Sequence, residues 1–143
     1  MKKQYNNRPQ KTLPKIDLSF IFESKDDKEI MKINDTELFG KTAESWAEAI
    51  NRTKKTQARN FYDKVLELEK EIKEKDFESV YPFIKMLNSK VAYAVNRRVV
   101  SFEFQKMMDQ CLSQISADKK GEQTFKNFKL FFEAVLGYFK GSN

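Results

Sequence analysis

The side chains able to do chemistry are few in kind. The 143-residue chain has no His and a single Cys, Cys111, beside 27 Lys and Arg and 21 Asp and Glu. Without His there is no Ser-His or Cys-His nucleophile pair, no imidazole base and no His-ligated metal. One Cys excludes an intramolecular disulfide and every multi-Cys zinc or iron-sulfur site, and such sparing use of thiols fits a reducing, cytoplasmic setting. Cys111 shares a helical phase with Phe104, Met108 and Ile115, where a thiol is an inert core group and not a nucleophile. The carboxylates interleave with Lys at helical spacing, the pattern of a solvated helix face, and no catalytic pair emerges. Four scattered glycines, Gly40, Gly121, Gly137 and Gly141, cannot build a phosphate-cradling loop and read as turns or helix ends. The expectation is a protein that is not an enzyme and takes no cofactor.

The cations are more informative, and their balance over the acids is 27 − 21 = +6. With Phe61 taken as inward at about 100° per residue, Arg59 lies about 160° away and Lys55 about 120° away, and Arg52 and Lys54 precede them. With Ile84 inward, Lys90, Tyr93 and Arg97 form an outward column roughly 120° to 180° away at i, i+3 and i+7, with Arg98 next in the chain. Lys and Arg at helical spacing match a sugar-phosphate backbone, and an exposed Tyr can stack on a base or sugar. Taken by itself, that phase also describes an ordinary solvated face, which is the commoner case.

The elements that must position these residues read as all-α. Residues 1–15 carry Lys2, Lys3, Arg8, Lys11 and Lys15 and no acid, the composition of a flexible basic tail. Ile16–Phe22 suits a short extended segment or a turn of helix, and Ser24–Lys41 is a polar connector with a turn at Asn34-Asp35-Thr36 and a break at Gly40. From Thr42, a candidate N-cap, the period turns helical. The predicted helices carry the apolar stripes Ala43/Trp46/Ala47/Ile50, Phe61/Val65/Leu68/Ile72, Ile84/Leu87/Val91/Val95, Phe104/Met107/Met108/Cys111/Ile115 and Phe125/Phe128/Phe132/Val135/Phe139. Pro82 is placed in the first turn of the third helix, and Ser101 caps the fourth. Helix five adds Phe131 and Tyr138 to its inward set, so it is either central or in contact with a partner. The whole is a single-domain bundle of about five helices over residues 42–143, preceded by an irregular basic segment over residues 1–41. No 18-residue apolar run exists, so no membrane span is expected.

Three segments resemble the small α-helical subunit of the type III-A CRISPR RNA-guided effector (Csm) complex. Thr56-Gln57-Ala58-Arg59-Asn60-Phe61-Tyr62 is similar to that family's Q-x-R-x-F helix start. Met86-Leu87-Asn88-Ser89-Lys90-Val91-Ala92-Tyr93-Ala94-Val95-Asn96-Arg97 is similar to its L-x-x-K-[LV]-A-Y-x-x-x-R helix. Phe128-Lys129-Leu130-Phe131-Phe132-Glu133-Ala134-Val135-Leu136-Gly137-Tyr138-Phe139 is similar to its closing aromatic helix. The resemblance spans residues 42–140 in order. It implies a non-catalytic bundle that stacks in several copies along the crRNA and target RNA, partnered by other Csm subunits and by further copies of itself, with a homodimer as a candidate form in isolation. Arg59, Lys90 and Arg97 fall inside these motifs. The candidate RNA-binding set is Arg52, Lys54, Lys55, Arg59, Lys90, Tyr93, Arg97 and Arg98. The alternative is an adaptor whose basic face docks on an acidic protein.

Overall fold

The computed structural model describes residues 12–19, 21–25, 28–32 and 37–143, with only the backbone described in the two strands. The basic tail through Lys11 and the turn expected at Asn34-Asp35-Thr36 lie outside the described residues. Two short strands, β1 (Ile21–Lys25) and β2 (Lys28–Lys32), pair antiparallel with Ile21 opposite Lys32 and Lys25 opposite Lys28. β1 starts within Ile16–Phe22, where an extended segment is one of the two expectations, and the rest of the hairpin occupies ground expected to be a polar connector. Neither strand alternates cleanly, so the period-2 signal that would have marked it is missing.

Behind the hairpin the fold is a helical bundle: α1 (Ala43–Ala49), α2 (Lys55–Glu74), α3 (Phe77–Asn96), α4 (Phe102–Leu112) and α5 (Lys119–Tyr138). A π-helical turn, Leu38–Thr42, runs directly into α1. Gly40 therefore breaks nothing, and Thr42 is not a cap: it is helical, its side chain makes no capping bond, and it is buried. Helix α3 begins five residues before Pro82, where the Asp76 carboxylate accepts the Ser79 N–H at 2.7 Å. Pro82 sits inside the helix on its exposed side, where the missing donor leaves only a carbonyl that water can reach. Ser101 does cap α4, accepting the Phe104 N–H at 3.1 Å, and Asp118 caps α5 by accepting from Gly121. Gly121 thus lies in the first turn of α5, at the helix's N-terminal end. A Cβ there would sit 1.5 Å from the Ser116 carbonyl oxygen, so the close approach of the preceding loop requires a glycine.

The core is aromatic and centred on α5. Phe125, Phe128, Phe131 and Phe132 are all fully buried, which makes α5 the central helix and places Phe131 inside the bundle. The Phe132 ring lies 6.1 Å from Phe104 of α4, 5.9 Å from Phe128 and 5.5 Å from Tyr62 of α2, the last edge-on. Such pairs contribute about 0.5 to 1.5 kcal/mol each beyond area burial. Cys111 is fully buried among them, and burial pushes its thiol well above the usual range, which keeps it protonated and unreactive.

Residues 13–19 cross the bundle as a strap. Ile16 and Leu18 insert into the core while Lys15, Asp17 and Ser19 face out. Polar side chains of α1, α4, α5 and the turn after α4 hold the strap by its backbone. Gln110 Oε1 accepts the Ile16 N–H, Gln114 Oε1 accepts the Leu18 N–H, and Gln114 Nε2 donates to the Ile16 carbonyl at 2.7 Å. Asn127 Nδ2 donates to the Leu18 carbonyl, and Trp46 Nε1 donates to the Pro14 carbonyl, both at 2.8 Å. The core thus reaches back into the segment that the sequence reading assigned to an irregular extension.

Candidate nucleic-acid interface

Helices α2 and α3 are joined only by Lys75 and Asp76, so they pack as an antiparallel hairpin. A cleft of about 220 Å³ opens between them. From α2 it is lined by Gln57, Asn60, Phe61 and Lys64, and from α3 by Lys90, Tyr93, Ala94 and Arg97. Each set is an i, i+3, i+4, i+7 stripe, so each helix presents one continuous edge to the cleft. Phe61 and Ala94 are buried at its floor, and the polar residues stand at its mouth. Val99 closes the end, and among the described residues no carboxylate lines the cleft. With the two helices antiparallel, Lys64 lies toward the Lys90 end and Gln57 toward the Arg97 end.

Tyr93 is 64% exposed, and the Arg97 guanidinium sits 5.7 Å from its ring centroid, a cation-π contact that orients both groups. Helix α3 ends at Asn96, with Arg97 as its C-cap. The Arg98 N–H donates to the Val95 carbonyl and the Val99 N–H to the Ala94 carbonyl, the double bond pattern that closes a helix on a left-handed residue. That residue is Arg98, at φ +62°. The Lys54 N–H then donates to the Val99 carbonyl at 3.1 Å, fixing the start of α2 beside the end of α3. Lys54, Arg97 and Arg98, all exposed, are drawn to one end of the bundle by this link.

The other candidates face elsewhere. Lys55 and Arg59 line a separate hollow with Leu136, Phe139 and Lys140 on the α5 side. Arg52 borders a third, beside Glu48 and Glu103. The eight residues singled out from the sequence are therefore all exposed but do not share one cleft. Gln57, Asn60 and Lys64 were missed for a geometric reason. On the α2 side the cleft is lined by residues flanking the buried stripe, not by those opposite it. Taking Phe61 as inward, these three lie only about 40° to 100° to one side, whereas the chosen Arg59 points directly away. Their spacing of i, i+3 and i+7, the same as that of Lys90, Tyr93 and Arg97, is the signal that could have found them.

The fold defined by these elements is an all-α bundle of five helices with a basic, aromatic two-helix face. The family model described as Csm2 Type III-A matches residues 33–143, and the chain belongs to that family, a small subunit of the type III-A CRISPR effector that partners other Csm subunits. No curated protein and no solved structure matches the chain. Among the described residues, no helix is long and apolar enough to cross a membrane.

Proposed function

We propose that the chain is a non-catalytic RNA-binding subunit of the cytoplasmic type III-A complex in antiviral defence. It would hold the backbone of crRNA and target RNA on its α2–α3 face while stacking against other subunits and further copies of itself. The observation that carries this reading is the convergence of Lys64, Lys90 and Arg97 around exposed Tyr93 in a cleft that no carboxylate lines among the described residues. Phosphates favour such an arrangement, because each neutralised phosphate releases condensed counterions. The non-catalytic part is supported by a sequence without His and by the burial of its one thiol. Phe83 and Met86, 56% and 49% exposed on α3, supply apolar surface of the kind a neighbouring subunit covers.

Co-purification tests the reading. The tagged chain is expected to bring down the other Csm subunits together with a nuclease-protected RNA. The Lys90→Glu/Arg97→Glu variant is expected to lose the RNA-dependent part of that association. A variant that assembles normally and protects the same RNA would overturn it.

A further inference from the structure

We propose that the α2–α3 cleft receives one unstacked nucleobase of the bound RNA strand, with Tyr93 as the surface on which that base stacks. The inference rests on the RNA-binding reading and goes beyond it, from backbone contact to a base site.

The dimensions admit one base. A cleft of about 220 Å³ is several times the ~30 Å³ share of one water yet below the roughly 300 to 1,000 Å³ of sites for larger small molecules. It holds a single planar ring system. Its chemistry fits a base in particular. The floor is apolar, formed by Phe61 and Ala94, and so suits a ring face. The Gln57 and Asn60 amides at the mouth each carry donors and an acceptor for a base edge. Lys64, Lys90 and Arg97 surround that mouth, where the phosphates on either side of an inserted base would pass.

Tyr93 supplies the second, independent observation. It is the most exposed large hydrophobic residue among those described, and its hydroxyl makes no hydrogen bond among the described residues. Core packing does not account for a ring in that position. Among the described residues its ring is met by the Arg97 guanidinium, which holds it at the edge of the cleft. Aromatic stacking accepts any base, so the site would add affinity without reading sequence. The same cleft could be filled by an apolar side chain of a protein, but the surrounding cations, with no carboxylate lining it among the described residues, favour an anionic polymer.

The test uses the full chain at low salt with a fluorescent single-stranded RNA and an abasic strand of the same length. Tyr93→Ala is expected to weaken binding of the ordinary strand about tenfold, the equivalent of ~1.4 kcal/mol and within the range for one stacked base. It should leave the abasic strand and the salt slope unchanged, since no cation is removed. Tyr93→Phe should bind as the parent does. A 2-aminopurine placed along the strand should change its fluorescence on binding to the parent and not to Tyr93→Ala. If Tyr93→Ala binds both strands like the parent while Lys90→Ala/Arg97→Ala still flattens the salt slope, the base site is wrong and the backbone reading stands. If Tyr93→Ala instead abolishes association with other subunits at unchanged RNA affinity, the cleft is a protein site. If no variant alters RNA binding, both proposals fall.

Discussion

The Tyr62 hydroxyl of α2 donates to Glu133 Oε1 of α5 at 2.8 Å, and the Tyr62 ring meets Phe132 edge-on. One residue thereby joins the aromatic core to the exposed side of α5. Its burial, reinforced by the Glu133 carboxylate, pushes the phenol from 10.0 up to about 12.

The sign of the pH effect follows. The folded state holds the Tyr62 proton more tightly than the unfolded chain does. The resulting stabilisation is fully present below pH 10 and is lost as pH rises through 12. Tyr62→Phe is expected to cost about 1 kcal/mol at neutral pH, since the exposed Glu133 recovers water as its partner. Denaturant unfolding from pH 8 to 12 should show that difference vanish between pH 10 and 12. A difference that stays constant across this range would show that the pair does not control the titration.

The strap predicts a second set of stabilities. Leu18 is fully buried, so Leu18→Ala should cost about 2 to 5 kcal/mol. Gln114→Ala removes both bonds to the strap and leaves the Leu18 N–H and Ile16 carbonyl short of partners, at about 1 to 3 kcal/mol. Lys15→Ala, on the outward side, should change little. Urea midpoints of the three variants decide it, and equal midpoints would mean that the strap contributes nothing to the fold.

Arg98 occupies a left-handed position that glycine ordinarily fills, at a cost of about 1 kcal/mol. Arg98→Gly should therefore raise the melting temperature by roughly 2 to 4 °C for a chain of this size. If the guanidinium contacts phosphate, the same change lowers the salt dependence of RNA binding by about 0.7. A gain in stability coupled to a loss in binding would explain why an arginine is kept there. A variant that melts no higher than the parent would contradict the strain.

What the sequence reveals depends on how local the signal is. Helices α2, α4 and α5 are legible because each buries one face against the others, so the 3.6-residue period is written into Phe61/Val65/Leu68, Phe104/Met108/Cys111 and the Phe run from Phe125. The start of α3 is hidden because Pro82 reads as a first-turn residue, although Asp76 was available as the cap. The strap is illegible for a different reason. Only Ile16 and Leu18 mark it, and the side chains that hold it, Gln110, Gln114 and Asn127, stand more than ninety residues away along the chain. At the candidate interface, Lys90, Tyr93 and Arg97 could be found from one helix alone. Gln57, Asn60 and Lys64 become visible only once α2 is laid beside α3, because a cleft is a property of two helices.

Salt-dependent binding decides whether the α2–α3 face holds RNA by its backbone. Anisotropy titrations of the full chain with two unrelated labelled single-stranded RNAs would compare the parent with Lys90→Ala/Arg97→Ala across a salt series. Each lost phosphate contact should flatten the slope of log K against log salt by about 0.7, so the double variant should fall short of the parent by about 1.4. Both RNAs should weaken alike, since backbone contacts position a strand without specifying it. Thermal stability should be nearly unchanged, because exposed charges contribute little to folding. An unchanged slope with unchanged affinity would contradict the claim and leave this face to a protein partner.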